Sequence, residues 1–178
     1  MSTFEIKLDT KVVTDALSEL QRRAVNPRKL MAAVSNELNS ISESAFSKQQ
    51  SPDGTSWKEW SSVTQHLRSL KAAGGKQYGK NGKELAKYTR EGKGGRMLVQ
   101  SGSLLRTLGH SHTDTTATVQ AGGGGVSYAA IHQFGGKAGR GKKVDIPARP
   151  YLPITKNGEL MKVAERSILD ICKEHFQL

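Results

Sequence analysis

Gly136, Gly141 and Lys142, in the run GKAGRGKK (136–143), reproduce the glycine and lysine spacing of a phosphate-binding loop. That chemistry needs backbone amides around a triphosphate, a lysine on its outer phosphates, and an adjacent Ser or Thr hydroxyl to hold magnesium. Lys143 stands where the hydroxyl is required. The context fails as well. A short helix precedes the run, where a strand is needed, and VDIPARP (144–150) carries two prolines and cannot be the following helix. The run reads as a mobile basic tip joining a short helix to a strand.

The other reactive side chains are no better arranged. His110 and His112 sit two apart on one face of an expected strand, and His66, His132 and His175 are scattered, so no acid or histidine cluster completes a metal site. Serines are plentiful, but none lies in a G-x-S-x-G elbow. Cys172 falls on the apolar stripe of a helix, and one cysteine excludes a disulfide framework. Asp53 and Glu59 flank a tryptophan segment without a second acid placed for proton transfer. The expectation is a protein that is not an enzyme, with no cofactor, metal or small-molecule substrate.

The elements that position these residues follow from pattern. Phe4, Ile6 and Leu8 alternate as in a half-buried strand, and Val12, Val13, Leu17 and Leu20 suggest a short helix capped by Asp9 or Thr10. Asn26-Pro27 supplies a cap and a first-turn proline for a helix whose apolar set runs from Leu30 to Phe46. Pro52-Asp53-Gly54 is a turn, and Trp57 and Trp60 after it are expected to plug the edge of a small core. Ser101-Gly102 turns into a short helix at Leu104, and Thr113–Ala121 pairs as a strand with Leu105–His112. Gly122–Gly125 is a flexible joint, Ser127–Phe134 a short helix, and Val144–Ile146 a strand held extended by Pro147 and Pro150. A last helix spans 157–176, with Leu160, Val163, Ala164, Ser167, Ile168, Ile171 and Cys172 on its buried stripe. This order predicts an α+β fold, a small, mostly antiparallel sheet with helices on one face, in one domain over 1–178.

Charge is unevenly placed along that domain. The net charge is +11, and residues 66–96 hold nine Lys and Arg against Glu84 and Glu91. Residues 136–149 hold five against Asp145, so these two segments account for the whole excess and the remaining body is neutral. Seventeen of the 19 glycines lie between Gly74 and Gly141. Long flexible basic loops at 71–96 and 135–143 are therefore expected, with Lys76, Lys80, Lys83, Lys87, Arg90, Lys93, Lys137, Arg140, Lys142 and Lys143 as candidate contacts to a protein partner or DNA. Tyr78 and Tyr88 are too few aromatics for a base-stacking platform. The first residues, MSTFEIKLDT, lack a signal-peptide pattern, and no apolar run approaches the roughly 20 residues of a membrane span. The chain reads as soluble and made in the cytoplasm.

Taken in order, SPDGTSW (51–57), LVQSGSLLRTL (98–108), YAAIHQFGG (128–136) and IPARPYL (146–152) resemble the phage virion morphogenesis family, the tail completion proteins typified by protein G of Mu-like phages. The resemblance covers nearly the whole chain. It rests on Pro52, Asp53, Gly54 and Trp57; on Ser101, Gly102 and Leu104; on Tyr128, Ile131, His132, Gln133, Phe134 and Gly135; and on Ile146, Pro147, Arg149 and Pro150. It implies a structural protein at the head-proximal end of the tail, in the virion neck, forming a homo-oligomeric ring of six. Its partners would be the tail tube, terminator and neck proteins, with non-specific contact to DNA in the channel. A tail terminator and a basic nucleic-acid-binding module are the alternatives.

Within those motifs, Tyr128, Ile131 and Phe134 are expected to bury together, with His132 and Gln133 bonding to backbone. Arg149 is expected either to be presented outward or to pair with a carboxylate of its own subunit.

Overall fold

A computed structural model describes Asp15, Ser18, Glu19 and residues 27–176, apart from residues 94, 100, 124 and 125. The expected first strand and most of the short helix after it lie outside these residues, although Asp15, Ser18 and Glu19 are helical. The spine is helix α1, Arg28–Lys48, whose 21 residues span about 30 Å. Pro27 stands just before it with helical dihedrals, and its carbonyl accepts the Met31 N–H at 2.8 Å. The buried stripe runs Leu30, Val34, Ser35, Leu38, Ser42, Ala45 and Phe46. Ser35 and Ser42 lie inside it because each hydroxyl donates back along the helix, to the carbonyls of Ala32 and Leu38 respectively.

Two apolar clusters lie along α1. Toward its start, Leu30, Val34 and Leu38 pack with Ala164 and with Ile168 and Ile171 of the last helix, and with Ala117 and Val119. Toward its end, Ala45 and Phe46 pack with Trp57, Leu104, Val126, Ala129 and Tyr151. At the helix C-terminus Gln49 adopts a left-handed conformation, φ 56°. Its side-chain amide offsets that strain by donating to the carbonyls of Phe46 and Met97 and accepting the Met97 N–H.

The turn after α1 is as the sequence indicates. Gly54 N–H reaches the Ser51 carbonyl at 2.8 Å, Gly54 has φ +89°, and the Asp53 carboxylate accepts the Thr55 N–H. Helix α2 (Ser62–Ala72) follows, capped by the Ser61 hydroxyl on the Thr64 N–H, and packs against α3 (Ala86–Lys93). Much of the first basic segment is thus a helical hairpin rather than a loop. Its tip is built on hydrogen bonds: Gly79 N–H to the Lys83 carbonyl, and Gln77 and Thr89 side chains to the Glu84 carboxylate.

Past it lie α4 (Ser103–Arg106), the ribbon β1 (Gly109–His112) with β2 (Ala117–Gln120), α5 (Ala129–Phe134), the ribbon β3 (Gly136–Ala138) with β4 (Val144–Ile146), and α6 (Lys162–Phe176). The α+β class stands, with the strands in two separate antiparallel ribbons. The phosphate-loop look-alike is the tip of the β3–β4 hairpin, which removes the strand-loop-helix setting that chemistry needs.

α6 starts five residues later than expected. Asn157-Gly158, with Gly158 at φ +84°, closes a turn in which Thr155 N–H bonds the Glu159 carbonyl and Ile154 bridges Leu160. Leu160 and Val163 consequently face solvent, and only Ala164 of the expected stripe is fully buried.

Candidate interaction groove

The motif segments, up to 93 residues apart in sequence, meet at the end of α1. Trp57 is 4% exposed, stands edge-on to Phe46 at 5.8 Å, and donates its indole N–H to the Pro150 carbonyl at 2.7 Å. Tyr151 packs on the other side of Phe46 at 5.1 Å and donates its hydroxyl to the Ala129 carbonyl at 3.0 Å. Burial pushes the Tyr151 phenol up to about 12. Gly102, at φ +68°, lets the chain turn into α4 and seats Leu104, which is buried, in the same cluster.

Helix α5 enters this core by a different face than periodicity indicates. Tyr128 and Phe134 are 39% and 36% exposed, and Ile131 is half-buried. Ala129 and Gln133 face inward instead, because the neighbouring Tyr151 and Leu152 have no strand partner among the described residues and need side-chain bonds. Gln133 supplies four: its oxygen accepts the N–H groups of Tyr151 and Leu152, each at 2.9 Å, and its nitrogen donates to the carbonyls of Leu152 and Ile154. After the helix, Gly135 takes φ +72° and lies so close to the returning strand that a Cβ there would sit 2.9 Å from the Ala148 nitrogen.

Above this core opens a groove of about 820 Å³. It is lined by the segment 58–61, by Thr64 and Arg68 of α2, and by β4 continuing into Pro147. Ser101, Tyr128 and His132 also line it. The Arg68 guanidinium lies 4.0 Å from the centre of the Trp60 ring, so Trp60 is a wall of this groove and not the core plug expected of it.

Arg149 lies at the groove, 5% exposed, and meets neither expectation. It is not presented outward, and among the described residues it has no carboxylate partner. Its Nε donates to the Lys58 carbonyl at 2.8 Å and one Nη to the Glu59 carbonyl at 3.1 Å. Pro147 and Pro150 restrict φ on either side of it, and burial lowers its pKa. Beside it the His132 imidazole is held below the usual range, first by burial and then by the Arg149 charge. His132 Nδ1 is buried without a hydrogen-bond partner, while its carbonyl accepts the Arg149 N–H at 2.7 Å.

The basic candidates lie apart from the motif core. Lys76, Lys80, Lys83, Lys87 and Arg90 are exposed on the α2–α3 hairpin, and Lys137, Arg140 and Lys143 on the β3–β4 hairpin. Lys137 pairs with Asp145 at 3.3 Å, and both remain exposed. The side chains of Lys93 and Lys142 lie outside the described set. Sequence reasoning missed Trp60 with Arg68 and the role of Tyr151. The i, i+8 spacing of Trp60 and Arg68, from a loop into α2, carries no periodic signal, but the position of Tyr151 directly after the motif prolines was a usable one.

Comparison with known proteins gives this arrangement its setting. The profile of the phage virion morphogenesis family matches residues 8–177. The chain belongs to that family. Over 151 residues, 84% of this chain and 80% of the other, it is 30% identical to the putative capsid assembly protein G of Escherichia phage Mu. Over 84 residues, 47% of this chain, it is 43% identical to the Mu-like prophage FluMu G protein 2 of Haemophilus influenzae, and that match spans 54% of the Haemophilus protein. No solved structure matches significantly. Membership makes this a phage protein of virion assembly. Among the described residues there is no group of three or more metal-ligating side chains, and no helix is long and apolar enough to cross a membrane.

Proposed function

We propose that this protein completes the phage tail at its head-proximal end, acting at the neck in head–tail joining as a ring of six subunits. Family membership supports a place in the assembling virion, and the name of the Mu relative supports contact with capsid components. The observation that carries the reading is the gathering of most of the net charge of +11 on two folded hairpins, with +6 on residues 62–93 and +3 on residues 136–146. A ring repeats each projection once per subunit, so contacts that are weak singly become strong together. In this reading the α2–α3 and β3–β4 hairpins dock onto tail tube, terminator or neck proteins, and the protein is assembled into virions in the host cytoplasm.

Non-specific contact with DNA in the channel is the second reading, favoured by the exposed lysines of the α2–α3 hairpin. Charge reversal tests the first. A Lys80→Glu, Lys83→Glu, Lys87→Glu variant is expected to leave heads and tails unjoined in a complementation assay while keeping the wild-type unfolding midpoint. Normal joining by that variant would overturn the reading.

A further inference from the structure

The Arg149 guanidinium is a buried cation with no carboxylate partner among the described residues. A guanidinium offers five N–H donors, and only two of those of Arg149 are engaged, both by neutral backbone carbonyls. A charge taken out of water without an opposite charge is costly, and a carboxylate brought to it regains much of that cost. The acids nearest in the groove do not serve: Asp145 pairs with Lys137, and Glu59 contributes its carbonyl rather than its carboxylate. Apolar side chains also line the groove, Val144 (54% exposed), Ile146 and Trp60 among them. Finally, β4 pairs with β3 on one edge, and no described strand covers its other edge.

We propose that this groove binds an extended, acidic segment of a partner protein, which adds along the free edge of β4, packs apolar side chains on Val144 and Trp60, and sets a carboxylate against Arg149. Edge addition supplies main-chain hydrogen bonds, and alternate side chains supply specificity. Both basic hairpins border the groove, one through Thr64 and Arg68 of α2 and the other through β4, so their field draws an acidic chain toward it. A nucleic-acid strand fits less well, since Val144, Ile146 and Trp60 offer a line of phosphates nothing. The proposal rests on the docking role given above and names the site and the chemistry of the docked segment.

The test uses the full-length protein and fluorescent probes: a blocked eight-residue peptide alternating Val and Glu, its Val-Lys counterpart, and a short DNA duplex. Binding is followed by anisotropy for the wild type and for Val144→Glu and Trp60→Ala, whose folding is checked by circular dichroism. Neither substitution touches Arg149, so loss of binding is not loss of the core. The expected result is that the acidic peptide binds, the basic one does not, and each variant weakens binding by about tenfold or more. Equal binding of the two peptides, no binding of either, or binding indifferent to both variants overturns the proposal. So does duplex DNA that displaces the acidic peptide and is itself lost in both variants. A failed peptide assay beside blocked joining in the lysine-reversal variant would remove the groove proposal and leave the assembly reading standing.

Discussion

Gln133 and Tyr151 meet at a seam where Tyr151 is tied twice to α5: the Gln133 side-chain oxygen accepts the Tyr151 N–H at 2.9 Å, and the Tyr151 hydroxyl donates to the Ala129 carbonyl, one turn before Gln133. With the three further bonds from Gln133 to residues 152–154, this seam does for an unpaired stretch of backbone what a neighbouring strand would do. It also fixes Arg149, two residues before Tyr151, at the groove.

Replacing Gln133 with Leu should therefore cost more than an average core substitution. The volume is kept, but two N–H and two C=O interactions lose their partner, at about 1–3 kcal/mol for each group that stays buried and unpaired. A loss of about 3 kcal/mol or more in urea-induced unfolding is expected, against about 1 kcal/mol for Tyr151→Phe, which removes one bond. Similar midpoints for the two variants would contradict the seam.

The two motif glycines Gly54 and Gly135 should separate in the same assay. Both have positive φ, but a Cβ on Gly54 meets nothing within 4 Å, whereas on Gly135 it meets backbone at 2.9 and 3.1 Å. Gly54→Ala is expected to cost about 1 kcal/mol from conformational strain alone. Gly135→Ala adds a clash that only movement of the 146–148 backbone can relieve, and about 3 kcal/mol or more is expected. Equal costs would mean that the Gly135 contact yields easily.

Stability should fall as the solution is made mildly acidic. The folded pKa of His132 is depressed by burial and by Arg149, so below its ordinary value of 6.5 the unfolded chain takes up a proton that the folded chain resists. Unfolding free energy then decreases as pH drops from above 6.5 toward the lowered folded value, and no further contribution is lost beneath it. Urea midpoints for wild type and His132→Gln across that range check the sign. The variant's curve should be flatter, and an unchanged slope would remove His132 as the source.

The sequence by itself determined the family and those elements marked by proline, glycine or a long period, but not the α2–α3 hairpin. Proline restricts backbone angles and glycine admits positive φ regardless of surroundings, so the Pro52-Asp53-Gly54 turn and the Ser101-Gly102 turn were legible. The α1 stripe was legible because 21 residues give several full periods. Tertiary structure decided which side chains face inward wherever the element was short. In a six-residue helix, periodicity could not weigh Tyr128 and Phe134 against Gln133, because the choice depended on unpaired backbone 18–21 residues away. It also turned Arg149 inward onto the carbonyls of Lys58 and Glu59, some 90 residues earlier, and set Trp60 against Arg68. Hydrogen bonding and desolvation act through space, and chain order carries little of that information.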